Sequence, residues 1–551
     1  MNTNVSKKRL PYMPAISALV ISALILTCKA PPQKHSNIRP PDIRVGILEE
    51  RSVVEFRIKD ATNSVNLHHN FAIRRLPAGR WRAEVIGGKP AKFKYRLAFS
   101  TSRDRFAAED VVRYLSTLVL EARVERYDRN PGIELPYFSK SVYQVILNRD
   151  FPSEAEAKLY QNSIREKSGC EIIAVPDGKA MGALRFTNLE SRHSFDSADP
   201  VRISTANIDI AAVDVGSGFH WESSETRSYG GTAEFLVDEY GQLTVVNELS
   251  LEEYLKGVVP SEMPATFPYE ALKAQAIAAR VEAISKAGLR HPLKAFDLCD
   301  DVHCQVFSGR TRRAETANRA VESTRGIFAV YRKKIIEAFY AAVCGGHTES
   351  NENVWLMDAK PYLMGVLDSR GRGARLANSL QEENNVKKWI DSRPDVNCNT
   401  TSGQLPEALN YSKKYFRWEV KYDRPELEKI LREKTGEEFG MLVDLVPRKR
   451  GLSGRLQELE VVGTKKRFVI SRELPIRQAL SKTTLYSACC YFQKEGGMKD
   501  LPARFIIKGG GWGHGVGMCQ VGAAMMALRG KKFDEILVHY YKGITLEVLY
   551  E

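Results

Sequence analysis

Residues Val258 to Arg280 read VVPSEMPATFPYEALKAQAIAAR, and the interpretation of the whole chain starts from this stretch. A single acid in it, Glu262, stands between Pro260 and Pro264. A proline ring holds φ near about −65°, so the two prolines are expected to stiffen the backbone on both sides of the carboxylate. We therefore predict a rigid loop with Glu262 at its mouth.

An alanine-rich helix is predicted to follow this loop. Thr266 is a suitable N-terminal cap, Pro268 suits the first turn and Gly288 suits the end of the helix. Residues three and four positions apart share one face of a helix, and here one face carries small and apolar residues. They are Leu272, Ala276, Ala279 and Ala283. Such a stripe lets a neighbouring element approach closely, so we predict a buried helix.

Three blocks of sequence, one of which contains this stretch, resemble one family. Residues 246–280 read VNELSLEEYLKGVVPSEMPATFPYEALKAQAIAAR, residues 303–309 read HCQVFSG, and residues 509–527 read GGGWGHGVGMCQVGAAMMA. In this order the blocks resemble the SpoIID/LytB family of bacterial cell-wall proteins. The similarity extends over about residues 225–366 and 445–551.

The resemblance implies an α+β fold and a peptidoglycan lytic transglycosylase. Such an enzyme cleaves the MurNAc–GlcNAc backbone, with peptide-stripped strands as one candidate substrate, and leaves a 1,6-anhydro product. The family's catalytic acid corresponds to Glu262, and burial near Met263 and Phe267 is expected to raise its pKa. Hydrolases normally use two carboxylates, whereas one glutamate is sufficient for this reaction. Glu252 and Glu253 are interpreted as solvated.

An alternative function follows from the LytB name. It is a non-catalytic, wall-binding protein that enhances an N-acetylmuramoyl-L-alanine amidase. The sequence also departs from the family pattern, because Val281-Glu282 stands where the family usually has Ser or Thr followed by Tyr. A carboxylate at Glu282 could act as a base. The substrate-binding candidates implied by the resemblance are Gln305, His347, Trp512, His514 and Gln520.

The glycine-rich block allows two interpretations. Six glycines between Gly509 and Gly517 permit positive φ and close backbone approach, and they present main-chain N–H groups to a ligand. They are either structural glycines at a tight corner or one wall of a substrate groove. A phosphate-binding loop is excluded because no GK[ST] follows.

A metal site is predicted beside the alanine-rich helix. His291, Cys299, His303 and Cys304 have the number and types of ligands found in structural zinc sites. A Cys299–Cys304 disulfide is the competing interpretation, since an exported chain favours disulfides. Beyond this structural zinc, no cofactor is expected. Eight cysteines remain when Cys28 is set aside, and their pairing cannot be read from sequence.

The N-terminus predicts export. Residues 7–9 are basic, residues 15–27 are apolar and too few to span a bilayer comfortably, and Cys28 ends a stretch that resembles a lipobox. We expect a signal peptide over residues 1–28, a lipid anchor at Cys28, a tether over residues 29–42 and a place in the periplasm or cell envelope. Thr27 is unusual before a lipidated cysteine, which leaves cleavage by an ordinary signal peptidase as the alternative.

The remaining chain divides into further segments. Residues 43–92 are β-rich and begin with a strand at 43–47. Residues 93–180 contain two β-α-β units that predict one four-stranded sheet, and the second unit resembles SPOR domains, which bind peptide-stripped glycan. The alternative is a family-specific insertion domain with no ligand of its own. Residues 200–366 and 444–551 are the two parts of the SpoIID-type domain, and residues 367–443 are interpreted as an insertion.

Within the repeat, strands are predicted at 95–99, 122–127, 143–147 and 170–175. Helices are predicted at 107–120 and at 153–166, with Ser153 as the cap of the second. The net charge of +14 favours an anionic or polyol-rich partner. The expected partners are peptidoglycan glycan strands, a cell-wall amidase and the membrane through the lipid anchor. Nucleic acid is not expected, because the chain carries no motif for it.

Overall fold

The computed structural model describes residues 38–59, 64–67, 73–128, 133–164, 170–219, 221–355, 357–369, 379–401, 405–498 and 501–551. The predicted signal peptide, with Cys28, lies outside the described residues. Helices and strands are mixed throughout the described chain, which confirms the α+β fold class. Within that part of the chain, no helix combines the length and the apolarity needed to cross a membrane.

The α-helices are α1 Arg105–Thr117, α2 Glu154–Ile164, α3 Leu251–Glu262, α4 Tyr269–Lys286, α5 Glu315–Ser323, α6 Glu383–Asp391, α7 Lys413–Phe416, α8 Arg424–Thr435, α9 Glu473–Ala479, α10 Gln520–Leu528 and α11 Phe533–Tyr540. The strands are β1 Asp42–Arg51, β2 Val53–Ile58, β3 Ser64–Leu67, β4 Ile73–Arg75, β5 Gly79–Lys89, β6 Lys92–Ser102, β7 Ala122–Asp128, β8 Ser141–Leu147, β9 Glu171–Asp177, β10 Met181–Asn188, β11 Ser194–Ser197, β12 Val201–Val215, β13 Ser223–Val237, β14 Leu243–Ser250, β15 Leu298–Cys299, β16 Ile327–Tyr331, β17 Lys334–Ile335, β18 Tyr340–Ala341, β19 Trp418–Asp423, β20 Leu442–Arg450, β21 Leu456–Gly463, β22 Arg467–Ser471, β23 Cys490–Glu495, β24 Arg504–Gly509, β25 Met518–Cys519 and β26 Thr545–Val548.

The largest sheet joins the N-terminal segment to the strands that precede α3. Its main path runs β11-β10-β5-β2-β12-β13-β14-β1-β15, with β3 and β4 beside β12. Exposed and buried residues alternate along β2, because successive side chains of a strand point to opposite faces. The strand predicted at 43–47 lies within β1, which pairs with β14 and with β15. The segment 43–92 and residues 200–250 therefore share one sheet.

The predicted repeat forms a separate sheet in the order β7-β8-β6-β9, accompanied by α1 and α2. All four strands and both helices predicted there are present. Ser153 caps α2 as expected, since its hydroxyl accepts a hydrogen bond from the Glu156 N–H at 3.3 Å. The unit has an apolar cluster of its own and lies in the chain between β5 and β10, which pair with each other.

The alanine-rich helix is confirmed as α4, with two corrections at its N-terminal side. The four residues of the predicted stripe are fully buried, and Gly288 follows the helix end with φ of +68°. The predicted cap was wrong: Pro268, rather than Thr266, is the N-cap residue, and it caps without a side-chain hydrogen bond. The predicted loop around Glu262 was also wrong, because Glu262 is the last residue of α3 and Pro260 lies inside that helix.

The described residues of the segment 367–443 pack into the main core of the protein. Trp389, Cys398 and Phe416 from this segment are buried in the main core. Strand β19 pairs with β24, which ends at Gly509, where the glycine-rich block begins. The short strands β18 and β25 pair in parallel and bring the chain around Tyr340 beside the end of the same block.

Candidate active site at the C-terminus of helix α3

Glu262 lies at the end of α3 because a proline follows two residues later. Pro264 disfavours the helical conformation for the residue before it, and Met263 is extended, with φ of −137° and ψ of 128°. At the other end of the helix, the Ser250 side chain accepts the Glu253 N–H. The helix therefore stops at a fixed point, and Glu262 projects from its last turn.

The loop that contains HCQVFSG approaches this turn through a glycine. A Cβ atom at Gly257 would lie 2.4 Å from the Gly309 carbonyl oxygen, so a larger residue would push the loop away. The Ser308 N–H donates to the Gly257 carbonyl at 3.3 Å, and the Ser261 hydroxyl lies 2.7 Å from the Ser308 hydroxyl. These contacts fix the position of the loop relative to Glu262.

Glu262 is a partly exposed residue whose carboxylate is held by a main-chain N–H group. Its Oε1 accepts the Val306 N–H at 2.8 Å. Burial raises the pKa of Glu262 to about 7, although the Val306 N–H, Lys286 and the Tyr340 hydroxyl all act to lower it. At neutral pH this carboxyl group is populated in both the protonated and the ionised form, which suits a group that must donate and then accept a proton.

Gln305 positions Tyr340 at the site. The Gln305 side chain is buried, donates to the Tyr340 hydroxyl at 2.9 Å and accepts the Tyr254 hydroxyl at 3.2 Å. Tyr340 in turn hydrogen-bonds Glu262. Gln305 therefore acts on Glu262 through Tyr340, and its contacts are those of a residue that positions the Tyr340 hydroxyl.

Gln520 connects the glycine-rich block to α3. It is the first residue of α10 and is buried. Its Nε2 donates to the backbone carbonyl of Glu262 at 2.9 Å and to Oε1 of Gln275 at 3.3 Å. The site therefore joins the ends of α3 and α10 to the middle of α4.

Glu252 and Glu282, two other glutamates near the site, have structural partners. Glu252 was interpreted as solvated, which is wrong: its side chain is 2% exposed and pairs with Arg280 through two hydrogen bonds of 2.9 and 2.8 Å. Glu282 is equally buried, pairs with Lys286 at 2.7 Å and accepts the Ala338 N–H at 3.1 Å. Both carboxylates are therefore engaged inside the fold.

Most of the main-chain N–H groups of the glycine-rich block bind the protein itself. Those of Gly511, Trp512 and Gly513 donate to carbonyl groups of neighbouring segments at 2.8 to 2.9 Å. A Cβ atom at Gly515 would lie 2.3 Å from the Arg455 guanidinium carbon, and one at Gly517 would lie 2.0 Å from the Phe339 carbonyl. The expectation that this run presents its N–H groups to a ligand was therefore wrong for these residues, and the glycines serve close packing.

Two family models and several relatives match the chain. The model described as Stage II sporulation protein matches residues 239–331, and one described as a domain of unknown function (DUF8618) matches residues 349–517. An uncharacterized protein of Brachyspira hyodysenteriae is 33% identical over 304 residues, which cover 55% of this chain and 68% of that protein.

Other relatives carry descriptive names. The amidase enhancer of Bacillus subtilis is 29% identical over 53% of this chain, and the match spans 40% of that longer protein. Stage II sporulation protein D of Bacillus amyloliquefaciens is 28% identical over 55% of this chain and 75% of its own length. The chain belongs to the SpoIID/LytB family.

Two predicted groove residues of this SpoIID/LytB protein lie in the glycine-rich block and are partly exposed. Trp512 stacks on Tyr415, with ring centroids 4.2 Å apart. His514 packs against Trp355, and its Nδ1 accepts the Val516 N–H at 3.0 Å. Burial, with Arg477 and Arg455 nearby, lowers the pKa of His514 to about 3. His514 is therefore neutral and offers a hydrogen bond rather than a charge.

The fifth groove candidate, His347, makes its contacts inside the fold. It is 9% exposed, and its Nδ1 lies 2.6 Å from the Thr348 carbonyl. Its backbone bridges to Leu367, and burial lowers the pKa of its ring. Glu349, two residues after His347, is buried and accepts the N–H groups of Leu452 and Ser453. These contacts describe a loop anchor.

The four residues predicted to bind zinc lie together. One possible ligand atom from each of His291, Cys299, His303 and Cys304 lies within 4.8 Å of the others. His291 Nε2 is 3.3 Å from His303 Nδ1 and 3.4 Å from Cys304 Sγ. A hydrogen bond with Cys299 lowers the pKa of Cys304 to about 7, so a thiolate ligand is accessible there. Such an arrangement fits a tetrahedral metal ion.

Sequence reasoning missed two groups that contact the acid. The Val306 N–H carries no side-chain signal, although Val306 lies within the HCQVFSG block. Tyr340 belongs to a short strand whose role depends on its pairing with β25, about 180 residues away in sequence. Gln275 was visible only as one of several polar residues in an alanine-rich helix.

Proposed function

We propose that this protein is a lytic transglycosylase that cleaves the MurNAc–GlcNAc backbone of peptidoglycan with Glu262 as its acid and base. The observation that carries the proposal is the state of Glu262. Glu262 is a partly exposed residue at a fixed helix end, and burial of its carboxyl group raises its pKa to about 7. A raised pKa of this kind is what a general acid needs at neutral pH.

The reaction requires one carboxyl group in two successive roles. Protonated Glu262 gives its proton to the glycosidic oxygen as the bond to the muramic anomeric carbon breaks. The resulting carboxylate then takes the proton of the muramic 6-hydroxyl, whose oxygen attacks the same anomeric carbon. The electron pair of the broken bond stays with the leaving oxygen, and Glu262 ends protonated again. The product is a 1,6-anhydro sugar and no water is consumed.

The contacts of Glu252 and Glu282 favour a single-acid mechanism over a hydrolase that uses either of them as its second acid. Glu282 pairs with Lys286 and with a main-chain N–H, and Glu252 pairs with Arg280. Neither is free to activate a water molecule. Trp512 and His514 are proposed to line the sugar-binding groove, as an apolar ring and a neutral hydrogen-bonding group.

An enhancer of a wall amidase is the second candidate. It is favoured by the similarity to the amidase enhancer of Bacillus subtilis, of which this chain spans 40%. In that function the protein binds the wall and Glu262 is dispensable. The partner would then be a cell-wall amidase, and both candidates share glycan strands as the bound polymer.

The test is mass spectrometry of purified peptidoglycan, intact and amidase-treated, after incubation with wild type and Glu262→Gln. Glu253→Gln is the matched control, because Glu253 lies on the same helix with a side chain that is 44% exposed. We expect anhydro-muramic products from wild type and from Glu253→Gln, and none from Glu262→Gln. The glycan that is cleaved faster identifies whether peptides must be removed first.

Two results would contradict the proposal. Reducing-end products without the anhydro form would establish hydrolysis and make Glu282 the next residue to change. Binding of all three proteins without any product, together with stimulation of an added amidase, would establish the enhancer.

A structural zinc at His291, Cys299, His303 and Cys304 is part of the proposal. The ion would have a structural role and would hold the loop that contains Val306, two residues after Cys304. The Val306 N–H donates to Glu262 from this loop. Metal analysis after purification without chelator, with Cys299→Ser as the control, tests it. A Cys299–Cys304 disulfide in non-reduced protein would overturn it.

Export and lipidation are proposed from Cys28 and the segment before it. A wild-type chain that incorporates a clickable fatty acid, beside a Cys28→Ala chain that does not, is the expected result. Equal labelling of both chains would contradict a lipid anchor at Cys28. The SPOR-like unit over residues 93–180 is proposed to bind glycan strands, on the strength of its strand and helix order.

A further inference from the structure

A second group of metal-binding residue types lies in the core beside the start of α10. Cys344, Asp368, Cys398 and Cys519 are buried, and one possible ligand atom of each lies within 4.8 Å of the others. Cys344 Sγ is 3.6 Å from Cys398 Sγ and 3.4 Å from Asp368 Oδ2. In a tetrahedral zinc site with bonds of about 2.3 Å to sulfur and about 2.0 Å to oxygen, the corresponding ligand–ligand distances are about 3.8 and 3.5 Å. The observed separations match that geometry.

Asp368 is oriented as metal-binding carboxylates usually are. Its Oδ1 accepts the Asn397 side-chain amide at 2.7 Å and the Tyr540 hydroxyl at 2.9 Å, and it lies 3.3 Å from His539 Nε2. These partners leave Oδ2 directed at the cysteines. A Cβ atom at Gly522 would lie 2.5 Å from that oxygen, so the glycine keeps the space open. Outer hydrogen bonds of this kind fix the orientation of a ligand.

The sulfur atoms accept main-chain N–H groups. Cys519 Sγ accepts from Cys344 N at 3.2 Å and from Gly522 N at 3.3 Å, and Cys344 Sγ accepts from Gly346 N at 3.3 Å. Hydrogen bonds to sulfur stabilise metal-bound thiolates. The helix α10 begins at the residue after Cys519, and its N-terminus adds to the same effect.

Two cations lie beside the group. Arg417 donates to the Gly345 carbonyl at 3.1 Å, and Arg455 donates to the Cys344 carbonyl at 3.1 Å. Three thiolates and one carboxylate around a divalent ion leave a net negative charge. The guanidinium groups reduce the cost of burying that charge.

We propose that Cys344, Cys398, Cys519 and Asp368 bind a structural Zn²⁺ ion. This site is distinct from the His291 cluster, which consists of His291, Cys299, His303 and Cys304. The three thiols lose their protons to solvent when the ion binds, and no redox step is involved. A single disulfide would use two of the three cysteines and would leave the third thiol and Asp368 Oδ2 without a common role. The ion instead accounts for all four residues.

This ion would join parts of the chain that the sequence keeps far apart. Cys398 comes from the segment 367–443, whereas Cys519 directly precedes Gln520, whose side chain holds the Glu262 carbonyl. The zinc would therefore fix the C-terminal end of the glycine-rich block to the segment 367–443. Its role is structural, since the ligands are buried and none of them contacts Glu262.

The experiment measures zinc by mass spectrometry in full-length protein purified without chelator. All variants are made in a Cys299→Ser/Cys304→Ser background, so that the His291 cluster contributes no metal. We expect that background to retain one zinc per chain, and Cys398→Ser or Asp368→Asn to lose it. Cys490→Ser is the matched control, since Cys490 is buried elsewhere in the core and should keep the ion.

A second measurement covers variants that fail to fold. Cobalt replaces zinc in the folded background protein, and tetrahedral thiolate ligation gives intense ligand-field and sulfur-to-cobalt charge-transfer absorption. The proposal is overturned if that protein contains no zinc and shows no such spectrum. It is also overturned if folded Cys398→Ser keeps its zinc, or if peptide mapping without reductant finds Cys344 and Cys398 joined as a disulfide.

Discussion

The two ends of helix α3 each carry a glutamate near the protein interior, and the two side chains are in opposite electrostatic states. They lie ten residues apart, about 15 Å along the helix axis. Burial would raise the pKa of Glu252, but Arg280 more than offsets it, with help from the Tyr550 hydroxyl and the Gly326 N–H, so its pKa is lowered. At Glu262, burial dominates and raises the pKa to about 7.

A buried carboxyl group can exchange a proton near neutral pH when its partners are too weak to keep it ionised. Glu252 has a guanidinium with two hydrogen bonds in a site that is 2% exposed. Glu262 has one main-chain N–H and one tyrosine hydroxyl, and it remains partly exposed. The contacts of Glu252 are those of a stabilising residue, and the raised pKa of Glu262 supports the proton transfer proposed for it.

The largest effect is expected for Glu262→Gln. The turnover of glycan cleavage should fall about 10²- to 10⁴-fold, because a positioned acid–base group contributes on that scale. Glutamine keeps the acceptor for the Val306 N–H, so glycan binding should stay within about threefold of wild type. Single-turnover assays and pull-down on purified sacculi measure the two quantities. A Glu262→Gln protein that cleaves at more than a tenth of the wild-type rate would contradict the comparison.

The next effect is on stability and belongs to Glu252→Gln. The substitution leaves Arg280 buried without its counter-charge, which costs about 3–5 kcal/mol of the free energy of unfolding. Glu253→Gln is the control, because Glu253 pairs with Lys256 and Arg313 at a more exposed position and should cost less than about 1 kcal/mol. Urea denaturation of the three proteins measures the difference. Equal midpoints for Glu252→Gln and wild type would show that the ion pair does not stabilise the fold.

Local features of the fold were readable from the sequence. The cap at Ser153, the buried alanine stripe of α4 and the turn at Gly288 each depend on a few neighbouring residues, and all three are present. The His291 cluster lies within fourteen residues of sequence, which is why its residues could be grouped.

Features that depend on tertiary contacts were not readable. The burial of Glu252 requires Arg280 on α4 and Tyr550 at the C-terminus, so a motif that shows only the glutamate reads as a solvated helix start. Pro260 stands inside α3 and removes one helical N–H there, although a proline in the sequence usually indicates a helix boundary. The four proposed zinc ligands Cys344, Asp368, Cys398 and Cys519 are spread over residues 344–519, so no local spacing could predict that they lie together.

The two glutamates should also give opposite pH dependences of stability. The unfolded Glu262 carboxyl ionises near pH 4.5 and the folded one near 7, so the folded state binds more protons in that interval. Wild-type stability relative to Glu262→Gln should therefore fall by up to about 3 kcal/mol as the pH rises from 4.5 to 7. Glu252 has a lowered pKa, so its contribution is present above about pH 4.5 and is lost as the pH falls below. Urea titrations across this range test both signs, and a wild-type minus Glu262→Gln difference that does not change with pH would refute the raised pKa.

The smallest expected effect is that of Tyr340→Phe. Losing the hydroxyl removes a hydrogen bond that favours the ionised form of Glu262, so the pKa of the acid should rise by about one unit or less. Since the protonated form is the active one for leaving-group protonation, the alkaline limb of the kcat/KM profile should move to higher pH by the same amount. Tyr541→Phe is the control, because the Tyr541 hydroxyl donates to the carbonyls of Ala338 and Phe339 and should leave the limb in place. A limb that stays fixed in Tyr340→Phe would mean that burial and the Val306 N–H set the pKa of Glu262 between them, and a limb that moves to lower pH would mean that Glu262 is not the group being titrated.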